Sequence, residues 1–426
     1  MAYSSLALET ARCRLRRTSF APEAEELARY YGQHGYAAST TIRYLNATAL
    51  FGEWFDRRRL PVTAFGEARI GEFIRYCRRC NHRGPSASGA RVDRDPKTIH
   101  AALGHLGEAL RHSGRVAPRS RYDGLPPAIA AALRDLDSYL ERVSGLALVT
   151  RHSHGRYIRD FLLWRFGDEP VTPAALVSDD FARYLVKRSE TLSPASIGAI
   201  ATALRCYLRF LTFRGQVAAA LVHAVLPVAQ WRHARLPQYL AADQLMRFLD
   251  AADQSLPSGR RDYAAFLLMC RLGLRASDVV SLTLDDIDWR GGTLSVRTAK
   301  TQRTNVLPLP DDVMGAIVAY VRNGRLDTDD RHLLVRHRAP MGRPINRALL
   351  CATVCRAYRR AGLPATWGGT HRLRHTAAAN MLRGGASIKE IADVLAHRSI
   401  DTTAIYAKID LEALREVALP WPGGVV

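Results

Sequence analysis

Lysine is nearly missing from this chain. Of 61 basic residues only five are lysines (Lys97, Lys187, Lys300, Lys389, Lys408), and the rest are arginine. A GC-rich coding sequence accounts for part of that preference. It does not account for the shortage of acid: 40 Asp and Glu leave a net charge of +21. Such a surface attracts polyanions, of which nucleic acid is the commonest large one. Cysteine is scarce as well. Seven cysteines, an odd number without framework-like spacing, argue against a disulfide scaffold and fit reduced thiols in a cytoplasm. Cys77-Arg78-Arg79-Cys80 has no second cysteine pair nearby to complete a tetrahedral site, so no zinc is expected there. A run of about 18 apolar residues occurs nowhere, and residues 1–20 lack an apolar core of signal-peptide length. A glycine-rich phosphate loop is also missing. The expectation is a cytoplasmic protein without a membrane span and with access to DNA.

A chain of 426 residues is too long for one ordinary core and suggests two or three domains. Its first two blocks resemble each other. Block one carries Trp54-Phe55, Pro61-Val62-Thr63, Phe73 and Tyr76, then Asp95-Pro96 opening a helix that ends near Leu110-Arg111. Block two carries Trp164-Arg165-Phe166, Pro170-Val171-Thr172, Phe181 and Tyr184, then Ser193-Pro194 opening a helix through Leu208-Arg209. The offset between matched positions runs 110, 109, 108 and then 98, and nearly all the drift falls in 78–94. That stretch reads as an expanded loop, where insertions are tolerated, which favours duplication over chance likeness. Both blocks read as helical. Ile197, Ile200, Ala201, Leu204, Tyr207, Leu208 and Leu211 recur at the spacing of one helix face, between a Ser-Pro start and a stop at Gly215. Connections are expected at 114–127 and along the basic stretch 231–237. A third block of mixed α and β character starts near Ala241. Leu294 to Thr298 alternates like a strand, with Thr304 to Leu309 as its hairpin partner, and the sequence after Pro310 is mostly helical.

Four segments of the third block carry possible chemistry. Arg275, in Gly273-Leu274-Arg275-Ala276-Ser277-Asp278, follows an apolar helix (263–272) and should be partly buried. A buried guanidinium needs an anion, and either Asp278 or a phosphate would serve. Lys300 stands at the hairpin tip, in a chain with few lysines. His371-Arg372-Leu373-Arg374-His375 places His371 and Arg374 on one helix face, a proton-transfer group beside a phosphate-binding one. His371 and His375 at i and i+4 also suggest metal, but no carboxylate lies between them as in zinc proteases. The fourth runs from Leu395 to Tyr406, with Asp401 able to cap a helix that carries Tyr406. Taken singly, each has an ordinary structural explanation.

In this order and at these separations the four resemble the tyrosine recombinase (phage integrase) family over roughly Ala241 to Leu419. The resemblance implies that Arg275 and Arg374 clamp the scissile phosphate and that Lys300 is general acid on the leaving 5′ oxygen. His371 would assist proton removal, His397 would bond the phosphate, and Tyr406 would be the nucleophile. Asp278 would support Arg275 without doing chemistry. Arg232, Arg235 and Arg303 would touch DNA. No metal and no cofactor is called for, since the arginines neutralise charge that magnesium neutralises in other nucleases. The fold implied is mainly α with a small β-hairpin or sheet in the catalytic domain (α+β), shaped as a C-shaped clamp. Its parts would be an N-terminal helical domain over 1–125, a probable duplicate of the core-binding domain, and a helical core-binding domain over 126–232. A linker over 233–240 and a catalytic domain over 241–426 would follow. The partners implied are double-stranded DNA and further copies in a homo-tetramer, or related recombinases in a hetero-tetramer. A relaxing topoisomerase-like enzyme and a non-catalytic DNA-binding regulator are the rival readings.

Overall fold

The computed structural model describes residues 2–79, 95–118, 120–228, 237–297, 304–364, 367, 369–396, 403 and 405–406. The chain forms two compact units, Met1–Leu27 with Ile42–Arg232, and Ala28–Thr41 with His233–Val426. Among the described residues no helix is long and apolar enough to cross a membrane.

The first unit is helical. In chain order its helices are α1 (Ala2–Leu15), α2 (Glu23–Gln33), α3 (Ala38–Arg57), α4 (Glu67–Arg79) and α5 (Pro96–His112). There follow α6 (Pro127–Arg142), α7 (Leu148–Phe166), α8 (Ser178–Ser189) and α9 (Pro194–Phe213); α2 and α3 also run through the segment Ala28–Thr41. The two blocks seen in the sequence take the same course: long helix, 3-10 turn (Val62–Ala64 or Pro173–Ala175), helix, then a proline-started helix. The starts are built alike. Asp95 accepts from the amide of Thr98 and Ser193 from that of Ser196, satisfying donors that a first turn leaves unpaired. The aromatic clusters match too: Phe51 stands 5.2 Å from Phe73, and Phe161 stands 5.3 Å from Phe181, ring centre to ring centre. All seven apolar positions of the expected α9 face are buried, and Gly215, at φ +67°, turns the chain just past its end. The expanded loop of block one falls on residues 80–94, outside the described residues.

The second unit holds α10 (Ala242–Asp250), α11 (Pro257–Cys270), α12 (Ala276–Ser281), strands β1 (Ile287–Asp288), β2 (Thr293–Arg297) and β3 (Thr304–Pro308), and α13 (Asp311–Asn323). It continues with α14 (Arg347–Arg360), α15 (His371–Arg383) and α16 (Ile388–Val394). The expected hairpin is there, with Leu294 facing Leu307 and Val296 facing Asn305. Leu294, Val296 and Leu307 are buried, so alternation turns one face of the ribbon to the core. The two-residue strand β1 extends it to a three-stranded antiparallel sheet. Helix α11 is the axis of this unit. Every residue from Ala264 to Cys270 is buried, because α10, α12, α13 and α15 all pack against it. Residues 238–240 are fixed onto α15: Leu240 N donates to Thr376 Oγ1 at 2.9 Å, Arg372 bonds Gln238, and Arg383 lies 4.7 Å over the Tyr239 ring.

Candidate active site

Helix α11 stops because Gly273 takes φ +67°, a conformation that side chains with a Cβ rarely adopt. Space enforces the same choice. A Cβ on Gly273 would lie 2.3 Å from the Leu395 side chain, which is itself buried. The turn delivers Arg275 as the residue that starts α12, with Asp278 in that helix's first turn. Arg275 Nη1 lies 3.8 Å from Asp278 Oδ2, and the arginine side chain keeps 29% exposure while the aspartate is buried. The carboxylate therefore stands beside the guanidinium without enclosing it.

Helix α15 supplies the next three groups. His371 opens it at the surface, Arg374 is buried, and His375 is half-buried one turn on. Arg374 donates through Nη1 to the carbonyl of Gly273 at 2.6 Å and through Nη2 to the carbonyl of Leu395. One guanidinium thus ties the turn before Arg275 to the end of α16. Both acceptors are neutral, and the charge of Asp278 reaches the guanidinium without a bond to it. Burial, and next the charge of Arg275, bring its pKa down to about 10. Desolvation also lowers His371, with the charges of Arg374, Arg275 and Arg347 adding to it.

Tyr406 lies in a 3-10 turn whose amide bonds the Thr403 carbonyl at 2.9 Å. Its ring is 1% exposed and packs in a small apolar cluster with Ala378, Ile391 and Leu395. Burial pushes its pKa up to about 12, against the pull of Arg374 and Arg275, whose charges both reach it. The hydroxyl is 2.8 Å from His375 Nδ1. That imidazole is held down at about 4 by burial and by the charges of His371, Arg374 and Arg372, so it is neutral near pH 7.

Of the residues singled out in the sequence, the structure groups Arg275, Asp278, His371, Arg374 and Tyr406. Lys300, Arg303, His397, Arg232 and Arg235 lie outside the described residues, as do the expected cap Asp401 and the expected tail helix 411–419. His375 is the group that sequence reasoning missed, having weighed it only as a metal ligand with His371. Its place one turn from His371 was a usable signal, but the direction of the Tyr406 phenol was not.

Comparison with known proteins agrees with this geometry. Residues 238–412 match the Phage integrase family. A full-length relative, "Putative integrase/recombinase y4rA" of Sinorhizobium fredii, is 35% identical over 396 residues, covering 93% of each chain. The tyrosine recombinase XerA of Thermococcus onnurineus is 29% identical over 290 residues, 68% of this chain and 94% of its own. In fold, the Tn1549 transposon integrase in complex with transposon right end DNA is similar, with TM-score 0.53 and 16% identity over 67% of this chain and 99% of that one. The chain belongs to the phage integrase family and is a tyrosine recombinase.

Proposed function

We propose that this recombinase cuts and rejoins double-stranded DNA at defined sites with Tyr406 as nucleophile and Arg275 and Arg374 as the phosphate clamp. The observation that supports this most is a single buried phenol that one imidazole bonds and that the charges of two guanidiniums reach, with His371 beside those guanidiniums. In the reaction the Tyr406 oxygen bonds the scissile phosphorus while the bond from phosphorus to the 5′ oxygen breaks. The phenolic proton passes to a base, for which His371 is assigned, and the leaving oxygen takes a proton from Lys300. His397 adds a hydrogen bond to the phosphate, and Asp278 steadies Arg275. The non-bridging oxygens gather charge as the new bond forms, and fixed donors placed where charge develops lower the barrier most. The product is a 3′-phosphotyrosine and a free 5′ hydroxyl. Bond energy is kept, so a second strand joins without ATP.

Around this centre the proposal has four further parts. Arg232, Arg235 and Arg303 touch the DNA backbone. The duplicated helical block over 1–125 lengthens the DNA footprint beside the core-binding block over 126–232 or contacts a neighbouring subunit. Four protomers assemble on paired sites, with the segment after Tyr406 packing on a neighbour. The enzyme works in the cytoplasm, and its length fits service to a mobile element. A nicked suicide duplex tests the chemistry: wild type should accumulate a covalent protein–DNA adduct and Tyr406→Phe should not. An adduct in the phenylalanine variant would overturn the nucleophile assignment. Normal assembly and strand exchange after truncation at Ile409 would overturn the role given to the tail.

A further inference from the structure

The second unit has another concentration of positive charge, at the far end of α11 from Arg275. Five arginines, Arg261, Arg336, Arg338, Arg356 and Arg360, line an open cleft of about 440 Å³. Arg261 stands near the start of α11 and Arg275 beyond its end. A helix of that length, 14 residues, runs roughly 20 Å. The cleft is thus separate from the Tyr406 centre.

Its charges are not balanced from within. Asp262 is the one carboxylate among the lining residues: Arg261 bonds its Oδ1 through Nε and Nη2 at 2.9 and 2.6 Å, and the charges of Arg356 and Arg360 also reach it. Three of the others bond only neutral acceptors. Arg336 donates to the Ala339 carbonyl at 3.1 Å, Arg356 to Thr353 Oγ1 at 2.7 Å, and Arg360 to the Ala251 carbonyl at 3.0 Å. Among the described residues, none of Arg336, Arg338, Arg356 and Arg360 bonds a carboxylate; the charge of Asp262 reaches Arg356 and Arg360, and that of Asp253 reaches Arg360, at longer range. Arginine surplus in the composition explains exposed arginines scattered over a surface. It does not explain five around one concavity that holds a single carboxylate, where mutual repulsion is worst. Next to them sits His337, held neutral at about 4 by burial and by the Arg261 charge, which offers hydrogen bonds without adding to that repulsion.

A phosphate anion would relieve this arrangement. Guanidinium forks match phosphate oxygens in pairs, and the cleft's volume suits a small ligand or a short piece of backbone. We propose that the cleft is a second phosphate-binding site, which takes a phosphodiester or pyrophosphate group apart from the phosphate at Arg275 and Arg374. That group has two possible sources, the backbone of DNA lying beyond the cleavage site or a free nucleotide.

Full-length protein tests this with two probes, inorganic pyrophosphate in low-salt calorimetry and duplex DNA in a salt titration of affinity. The variants are Arg338→Gln with Arg356→Gln, and Arg338→Gln alone in case the pair disturbs α14. An Arg275→Gln background removes pyrophosphate bound at the catalytic centre. If DNA is the source, the double variant should lower the slope of log K against log salt by about 2, since each lost phosphate contact removes about 0.9. If a free nucleotide is the source, pyrophosphate affinity should fall at least about tenfold with the DNA slope unchanged. Wild-type values for both probes in the double variant would overturn the proposal. Both measurements read binding and not strand cleavage, so failure here is separable from failure of the nucleophile assignment.

Discussion

His375 Nδ1 lies 2.8 Å from the hydroxyl of Tyr406, with the two rings edge to face at 61°. One of these groups is the assigned nucleophile, so the state of their shared proton matters. Burial pushes the phenol up and the imidazole down, so the shared proton stays on the Tyr406 oxygen. In this arrangement His375 holds a neutral phenol and does not ionise it. Cleavage therefore requires the phenol to leave this partner, or the phosphate's arrival to change both values.

Removing the partner should then cost stability first. His375→Ala leaves a buried hydroxyl unsatisfied, which typically costs about 1–3 kcal/mol. Denaturant unfolding of the full chain should show a lower midpoint for His375→Ala, and His375→Asn should recover part of it by restoring a hydrogen-bonding group. Equal midpoints for wild type and both variants would show that the bond contributes nothing.

How much of this was legible beforehand varies by element. The hairpin was, because Leu294, Val296 and Leu307 alternate and only one face is buried. The α9 face was, because its spacing and Ser193-Pro194 start are local signals. The start of helix α11 is not: the apolar run predicts 263–272, whereas the helix spans Pro257–Cys270, and its first turns carry Arg260, Arg261 and Asp262, a charged run that resembles surface. Its burial on all sides also erases the periodicity that a one-faced helix shows. The His375–Tyr406 pair and the grouping of Ala28–Thr41 with the second unit depend on contacts between distant segments. In the latter, Met341 N donates to the His34 carbonyl at 2.9 Å, and no local pattern encodes such a bond.

Gly273 is a backbone requirement with a catalytic consequence. Gly273→Ala forces a Cβ into φ +67°, at a cost of about 1–2 kcal/mol, and against the buried Leu395. Its carbonyl also anchors Arg374. Single-turnover cleavage of a suicide duplex should fall by about tenfold to a hundredfold, as small displacements of positioning groups do. Affinity for duplex DNA should stay near wild type. Loss of affinity in proportion to loss of cleavage would place the effect in DNA binding and not in alignment.

Arg374→Lys separates charge from geometry. Lysine keeps the positive charge but cannot span the carbonyls of Gly273 and Leu395 with a planar fork. Cleavage should fall about 10²–10³-fold, the usual loss when one fixed donor to a developing oxyanion goes. A lysine variant with wild-type cleavage would show that charge alone suffices at this position.

Acid should destabilise the second unit. His375 and His337 are both lowered to about 4 from an ordinary 6.5. Between those values the unfolded chain binds protons that the folded chain does not, so unfolding gains as the pH falls. Stability should be full above about pH 6.5 and decline as pH drops towards about 4. At the alkaline end Tyr406 acts in the opposite sense, since the unfolded phenol ionises near 10 while the folded one holds its proton to about 12. Stability should therefore fall again above about pH 10. Thermal melts of the full chain at pH 7.5, 6.5, 5.5 and 4.5 would trace the acid limb. His337→Gln and His375→Gln should each flatten it, because neither glutamine takes up a proton on unfolding. An acid limb of unchanged steepness in the double variant would assign the loss to other groups.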